Sequence, residues 1–570
     1  MKKNNYLLFF LIIIINFLIG FVNCQVCNTF VNSDSNSDSN DCGTSDNPCS
    51  TISQSISNCG QFSEMLMTIS PGYYNVEKTT FGEITNKTIS IINSASPDII
   101  APNVFLDLTE LIDPFINIQI KSNLDVNNIT FYGITFKNGL SDGSVVLVNG
   151  SSLINLSVTK CSFYRNAAYH VGGTFAFLKN NLPLPSPSST KNSTVSIIQS
   201  TFNNTKLVNA VGGIIYSDGI PIIFTIEDSN ILNFVSNDIG SILMINNGFL
   251  SISNTIITGG SSNNSIYLIK TNNNNNTSTT TPSIPVFKFS NVNVTDTYGG
   301  IVIQISGDSS ATSSFSSCNF VNTLNTLPIL LKNGGQSVID SCSFENNNIN
   351  NYINNVGGAI TLLNNQATIN NCTFTNNHAQ NGGAIYIDQC GTNQSSNYLT
   401  ISNTIFNENF AKNGLGGSIY NLNCTISINN VKFIDNKIDG SPLINGNGSN
   451  IFCGSSNITI NSTVFLNVQK TSDYNNYGIN CLSDKNSCNI KFNINNNNNN
   501  NNNNKFENVQ CSSSTSQPTS KGNSPHVLTK AEKIGISLGV IGAVIIISVV
   551  VVLIARKIKR DSQYKPIGLH

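Results

Sequence analysis

Two marks recur in phase along this chain and constrain its fold more than any other feature. The first is a Phe closing a strand-like run, followed by Asn-rich turn residues. Its copies are Phe136-Lys-Asn138, Phe163-Tyr-Arg-Asn166, Phe202-Asn-Asn204, Phe320-Val-Asn322, Phe344-Glu-Asn-Asn347, Phe374-Thr-Asn-Asn377, Phe406-Asn-Glu-Asn409 and Phe433-Ile-Asp-Asn436. From Phe344 the steps are 30, 32, 27 and 32 residues, ending at Phe465. The second mark, 8 to 13 residues after many of these Phe, is Gly-Gly before a strand: Gly172-Gly173, Gly212-Gly213, Gly299-Gly300, Gly357-Gly358, Gly382-Gly383 and Gly416-Gly417. Coupled marks at such a period signify stacked units that bury their apolar faces only against their neighbours.

The unit reads as short strands. Val195-Ser-Ile-Ile, Ala367-Thr-Ile-Asn and Thr425-Ile-Ser-Ile alternate apolar and polar residues, the period of a half-buried strand. Asn and Gly between them tolerate φ > 0. No amphipathic helix of useful length is expected outside the two terminal apolar segments. The expected fold class is therefore all-β: a solenoid of parallel strands. At about 4.8 Å per coil, roughly 15 coils would make a rod about 70 Å long. Phe would stack on Phe, and Asn ladders would satisfy the turns. Copies are degenerate at Phe202 and Phe320, which lack Asn at the fourth place, and 220–290 is hard to phase.

The ends set the expected compartment. Lys2 and Lys3, an apolar stretch from Tyr6 to Phe21 and Val22-Asn23-Cys24 have the layout of a secretory signal peptide over 1–24. Ile534 to Ala555 is an uncharged apolar stretch followed by Arg556, Lys557, Lys559 and Arg560, which predicts a transmembrane helix over 534–555 and a cytoplasmic tail over 556–570. The expected domains are a Cys-rich cap over 25–62, a solenoid over 63–490 and an Asn-rich low-complexity segment and stalk over 491–533. Leu182–Thr190 and Thr271–Pro282 read as inserted loops. The topology is single-pass type I, at the plasma membrane or an endolysosomal membrane. Gly535, Gly539 and Ala543 offer a small-residue face for homodimerisation. Tyr564-Lys-Pro-Ile567 resembles a sorting signal read by a clathrin adaptor, through Tyr564 and Ile567.

Charge narrows the partners. Charged residues make up 10% and the net charge is −1, so no basic face for nucleic acid is expected. Between the leader and the tail, 22 basic residues face 29 acidic ones, and Arg165 is the only Arg there. Recognition of carboxylate or phosphate by Arg forks is therefore not expected. Fourteen Cys remain after leader removal, and in an oxidising compartment they imply disulfides. Cys27, Cys42, Cys49 and Cys59 would staple the cap, and Cys481, Cys488 and Cys511 the other end. Cys161/Phe163, Cys318/Phe320, Cys342/Phe344 and Cys372/Phe374 repeat as Cys-x-Phe, pointing inward together. Cys342 and Cys372 are either a cross-coil bridge or buried free thiols.

Gly357-Gly358-Ala359-Ile360 with Phe374-Thr-Asn-Asn377 resembles the repeats of chlamydial polymorphic outer-membrane proteins and related right-handed parallel β-helix proteins. Cys42-Gly43-Thr44, Asn47-Pro48-Cys49-Ser50-Thr51-Ile52 and Ile69-Ser70-Pro71-Gly72-Tyr73-Tyr74 resemble the opening of pectin-lyase-like chains. The resemblance spans about 42–470 and implies a right-handed parallel β-helix ectodomain. It also implies surface display and adhesion. Enzymes of this fold cleave acidic polysaccharides with clustered carboxylates, a basic residue and often Ca²⁺. Here there is no Asp-Asp pair and no Gly-His-Gly.

Glycoside hydrolysis needs two carboxylates at a defined separation. Asp340, Asp388, Asp435 and Asp439 are isolated in sequence, though coil stacking can gather residues about 30 apart. Asp388, after the strand Ala384-Ile-Tyr-Ile, is the best single suspect. His170 and His378 each lie between a Phe mark and a Gly-Gly mark, so they either share one face or are structural. No catalytic residue, metal ligand or cofactor is assigned. Sixteen Asn-x-Ser/Thr sites are N-glycosylation candidates: Asn86, Asn128, Asn149, Asn155, Asn192, Asn203, Asn263, Asn275, Asn276, Asn293, Asn371, Asn393, Asn423, Asn447, Asn457 and Asn461. The expected function is cell-surface adhesion or recognition of glycan or protein ligands. The alternatives are a membrane-tethered carbohydrate-active enzyme and a non-catalytic structural surface protein.

Overall fold

Strand Ser343–Glu345 lies between Asn319–Val321 and Thr373–Thr375, parallel to both, with Phe320, Phe344 and Phe374 in one row. This pairing repeats through the computed structural model of the chain. It describes residues 26–510 except 60–61, 77–86, 96–102, 112, 120–125, 151–152, 179–192, 208–210, 237–241, 263–264, 271–285, 308–310, 350–356, 391–397, 413, 440–449, 467–477, 482–487 and 494–508. The expected leader, transmembrane helix, tail, both inserted loops and the Asn run at 495–504 lie outside the described residues. Among the described residues no helix is long and apolar enough to cross a membrane.

The fold is an all-β parallel solenoid. One 14-stranded sheet carries the Phe row, a 32-stranded sheet forms most of the other walls, and a three-stranded sheet is made by His378–Ala379, Phe410–Lys412 and Lys437–Asp439. One coil shows the course of the chain. Gln336–Asp340 turns at Ser341 into Ser343–Glu345, which turns at Asn346; Ile360–Leu363 then turns at Asn364 into the next coil's Gln366–Asn370. The three corners have φ of 55°, 55° and 52°. A left-handed backbone is costly for most side chains but open to Asn and Asp. Of the 27 non-Gly residues with positive φ among the described residues, 15 are Asn and three are Asp, so Asn is the favoured corner residue.

Inside, the Phe row is continuous. Phe163 stacks on Phe202 at 4.6 Å, and Phe344 on Phe374 at 4.9 Å. The stretch that resisted phasing joins the same row through Ile231, Ile257 and Val294. Apolar residues other than Phe hold the row there, so the mark disappears while the packing does not. Three residues further on runs a buried polar row. Asn377 donates Nδ2–H to Asn409 Oδ1 and to the Phe344 carbonyl, at 2.9 and 3.0 Å; Asn409 repeats this with Asn436 and Phe374, both at 2.9 Å. Thr323 takes the equivalent place in its coil and donates its hydroxyl to Asn347 Oδ1 at 2.7 Å. The Gly-Gly mark serves stacking of another kind: a Cβ on Gly358 would overlap the Gly383 carbonyl, and one on Gly383 the Gly417 carbonyl.

The N-terminal end is closed by a helix that the periodicity did not reveal. Strand Val26–Val31 pairs in parallel with Glu64–Ile69, and helix Ile52–Cys59 buries Ile52, Ser55, Ile56 and Cys59. Its signal is the capping pair Thr51-x-x-Gln54, in which Thr51 Oγ1 accepts the Gln54 N–H at 3.2 Å. Eight residues are too few for a helical period to stand out. Cys27–Cys59 and Cys42–Cys49 are disulfides, as expected for a stapled cap. At the far end Cys488 bonds Cys453 across coils, and Cys390 bonds Cys424. Strand Val509–Gln510 pairs with Ile479–Asn480, so the large sheet continues beyond residue 490.

Candidate functional site

The site is built from corner residues and the first residues after them. Asp296, Asn322, Asn346 and Asn376 are left-handed corners of four successive coils. Their side chains form an outer ladder: Asn322 donates to Asp296 at 3.2 Å, Asn346 to Asn322 at 3.4 Å and Asn376 to Asn346 at 2.7 Å. Two residues on, Tyr298, Leu324, Asn348 and His378 stand in register. Three coil steps make this strip about 14 Å long.

Together the two rows line an open recess of about 470 Å³. Tyr298 is 55% exposed and Leu324 is 50% exposed, an apolar edge opposite the amide ladder. Asn325 donates to the Tyr298 hydroxyl at 3.2 Å. His378 Nε2 lies 2.9 Å from Asn376 Oδ1. An amide oxygen only accepts, so Nε2 carries the hydrogen. The ring meets Phe410 edge-on at 5.4 Å, and burial holds its pKa below the ordinary His value. Thr297 and Asn348 each carry a side-chain oxygen that is closed to solvent and has no hydrogen-bond partner. Thr297 stands three residues after Val294, which pairs with Phe320, so its side chain belongs to the interior polar row with Thr323 and not to the surface of the recess.

A second recess, of about 420 Å³, is lined by Thr109, Glu110, Leu111, Leu140, Ser141, Asp142, Tyr169 and His170. Asp142 accepts the backbone N–H groups of His170 and Val171 at 2.9 and 3.1 Å and lies 3.0 Å from His170 Nδ1. The imidazole is 82% exposed. His170 and His378 therefore do not share a face. Their coils are seven steps apart, about 34 Å, and it is Ala167, not His170, that heads the row leading to His378. Equal placement between two marks did not fix equal placement on the coil, because loop lengths differ.

The isolated acids stay apart. Asp388 sits at a strand end between Leu363 and Leu422. Asp340 accepts from Asn370 and Ser341, and Asp435 is a corner. Among the described residues, Cys453, Cys481 and Cys488 form the only close group of three or more His, Cys, Asp or Glu side chains, and two of these are bonded to each other. Cys318, Cys342, Cys372 and Cys161 are buried free thiols, which decides the Cys342/Cys372 alternative. They share an inward turn position with Ser200 and Thr404: Cys318 N–H points to Cys342 Sγ as Cys161 N–H points to Ser200 Oγ and Cys372 N–H to Thr404 Oγ1.

The sequons divide. Asn155, Asn371, Asn423 and Asn457 are exposed, and Asn128, Asn149, Asn203, Asn293 and Asn461 are half-buried. Asn86, Asn192, Asn263, Asn275, Asn276, Asn393 and Asn447 lie outside the described residues, as do Gly535, Gly539, Ala543, Tyr564 and Ile567. Sequence reasoning missed Tyr298 and Leu324; the one signal near them was the Gly299-Gly300 mark.

No protein-family profile matches the chain, and no curated protein does. Among solved structures, a variant catalytic domain of GH87 alpha-1,3-glucanase in complex with nigerose aligns over 75% of this chain and 66% of its own, at 11% identity and TM-score 0.29. The GH136 lacto-N-biosidase from Eubacterium ramulus aligns over 82% and 68%, at 11% identity and TM-score 0.17. At these values no residue or activity carries over to this chain.

Proposed function

We propose that this chain is a single-pass type I membrane glycoprotein whose solenoid recognises glycan ligands along the recess between Tyr298 and His378. The observation that carries the reading is the exposed Tyr298 and Leu324 edging an open recess whose other row is the amide ladder of Asn322, Asn346 and Asn376. A hydroxyl-rich chain both donates and accepts, and its C–H faces pack on a tyrosine ring. The amide ladder adds further donors and acceptors without charge. Residence at the plasma or endolysosomal membrane, pairing through Gly535, Gly539 and Ala543, and adaptor binding at Tyr564 and Ile567 belong to the same proposal. They rest on the sequence of the two ends.

The test is binding of the purified full chain to a panel of neutral oligosaccharides and to cells. Leu324→Ser removes an exposed apolar side chain from the edge of the recess. It is expected to leave the melting temperature within a few degrees of the parent while weakening binding at least fivefold. Tyr298→Ser should weaken it further. Unchanged affinity in both variants would overturn the recess as the binding site.

A second reading, carbohydrate cleavage, rests on the Asp142–His170 pair with Glu110 in the other recess. It predicts release of reducing ends from a polysaccharide, abolished by Glu110→Gln. Turnover that survives this variant would exclude that site.

A further inference from the structure

The corners of this solenoid favour Asn, and only two of the described positive-φ corners carry a basic side chain: Lys160, at φ 52°, and Arg165, at φ 56°. Both flank one strand, Ser162–Tyr164. A long side chain in the left-handed region is disfavoured relative to Asn or Gly, and such placements concentrate where function requires them. Arg165 is moreover the only Arg before residue 556.

Around this strand the outer face differs in chemistry from the rest of its sheet. The Arg165 guanidinium lies 4.9 Å from the Tyr164 ring centroid, and Lys160 Nζ lies 5.8 Å from that of Tyr132. Lys137, in register with Tyr164, holds Nζ 4.2 Å from the Phe105 ring centroid and 5.5 Å from that of Tyr73. Tyr73 is 51% exposed. The neighbouring acid, Asp107, is engaged by Tyr73, Thr109 and Asn138. From Thr201–Asn203 to Val464–Leu466 the outward positions of this sheet hold no aromatic residue, and Glu345 and Lys432 are the only charged ones.

We propose that Lys137, Lys160 and Arg165, set among Tyr73, Phe105, Tyr132 and Tyr164, form a binding surface for a sulfated saccharide chain. Charge complementarity selects an anion, because the chain between leader and tail is otherwise acidic, 22 basic residues against 29 acidic. The span selects a polymer. Lys160 and Arg165 are corners at opposite ends of the strand Ser162–Tyr164, at most about 16 Å apart along the backbone. Lys137 lies one coil away, so the cations are spread over a patch that suits a chain better than one small anion. Ring faces beside each cation suit the C–H faces of sugar rings. Carboxylates are best met by a planar Arg fork, whereas dispersed single cations suit the tetrahedral, permanently charged sulfate ester. This surface is distinct from the Tyr298–His378 recess.

The test uses the purified full chain with three immobilised probes: dextran sulfate, unmodified dextran and hyaluronan, which carries carboxylates only. Dextran sulfate should bind, with affinity falling as salt rises. Any dextran binding, which the Tyr298–His378 recess would supply, should be insensitive to salt and unchanged when Lys160 and Arg165 are replaced. Hyaluronan should bind at least tenfold more weakly than dextran sulfate. Lys160→Asn with Arg165→Asn restores the residue that the corners favour, so the fold should hold, and should weaken dextran sulfate binding at least tenfold. Lys137→Thr should act in the same direction, whereas Lys432→Thr, which removes an exposed cation far along the same sheet, should change nothing. Dextran sulfate affinity within twofold of the parent in the double variant would overturn the proposal, as would equal binding of hyaluronan or no binding at all.

Discussion

Asn377 and Asn409 stand one coil apart, and Asn377 donates two hydrogen bonds to the one side-chain oxygen of Asn409. Asn409 Oδ1 accepts both the Nδ2–H of Asn377, at 2.9 Å, and its backbone N–H, at 3.1 Å. Asn409 in turn donates Nδ2–H to the Phe374 carbonyl and to Asn436 Oδ1. A buried amide that uses both hydrogens and doubly uses its oxygen leaves nothing unpaired, and each link depends on the next.

Replacement of Asn409 by Ala should therefore orphan groups on two neighbouring coils. An unsatisfied buried polar group costs about 1–3 kcal/mol, so Asn409→Ala should destabilise the solenoid by about 2–4 kcal/mol in urea unfolding. Asn409→Thr should recover part of the loss, because Thr323 already occupies this place in another coil.

Gly383 has no room for a side chain. Its Cβ would overlap the Gly417 carbonyl and crowd the Phe410 backbone, so Gly383→Ala should lower the melting temperature by many degrees or abolish folded expression. Gly334→Ala is the control, since its Cβ would meet the side-chain amide of Asn365 rather than backbone. It should melt within a few degrees of the parent.

His378 should make the solenoid acid-sensitive. Burial lowers its pKa in the folded state, so folding favours the neutral ring. Its contribution is complete above the unfolded value, about 6.5, and is lost as pH falls below it towards the folded value. Between pH 7.5 and 5 the parent's melting temperature should fall more steeply than that of His378→Asn. Parallel curves would show that the imidazole contributes nothing to the slope.

The thiols should be silent until the chain unfolds. Cys161 is buried, which pushes its pKa up to about 12, and a thiolate is required for attack. Maleimide at pH 8 should leave Cys161, Cys318, Cys342 and Cys372 unlabelled in the native protein and label all four after denaturation, as read by peptide mass spectrometry. Cys318→Ser should be tolerated, because Ser200 holds the equivalent turn position and accepts the same kind of backbone N–H.

Much of the fold was legible because it is local and repeated. Alternation at period 2, Phe on one inward phase and Asn at corners are properties of single coils, so they are written in each copy. The Phe mark failed over 220–290 only because Ile231, Ile257 and Val294 fill the same place. The cap helix escaped because its capping pair, Thr51 and Gln54, spans a single turn.

The candidate site lay beyond the sequence for a different reason. By itself the sequence determined the repeat, its inward apolar phase and the polar, Asn-lined exterior. Which residues of different coils stand side by side was decided by stacking, since the spacing between equivalent Phe varies from 24 residues, Phe320 to Phe344, to 39, Phe163 to Phe202. Hydrogen bonding between strands fixes the register and expels the difference into loops. Tyr298 thus heads a row with Leu324, Asn348 and His378, while His170 pairs with Asp142 far along the axis. The same register put Cys342 between two thiols instead of into a disulfide, and brought three cations and four aromatic rings together around the strand Ser162–Tyr164 and its corners.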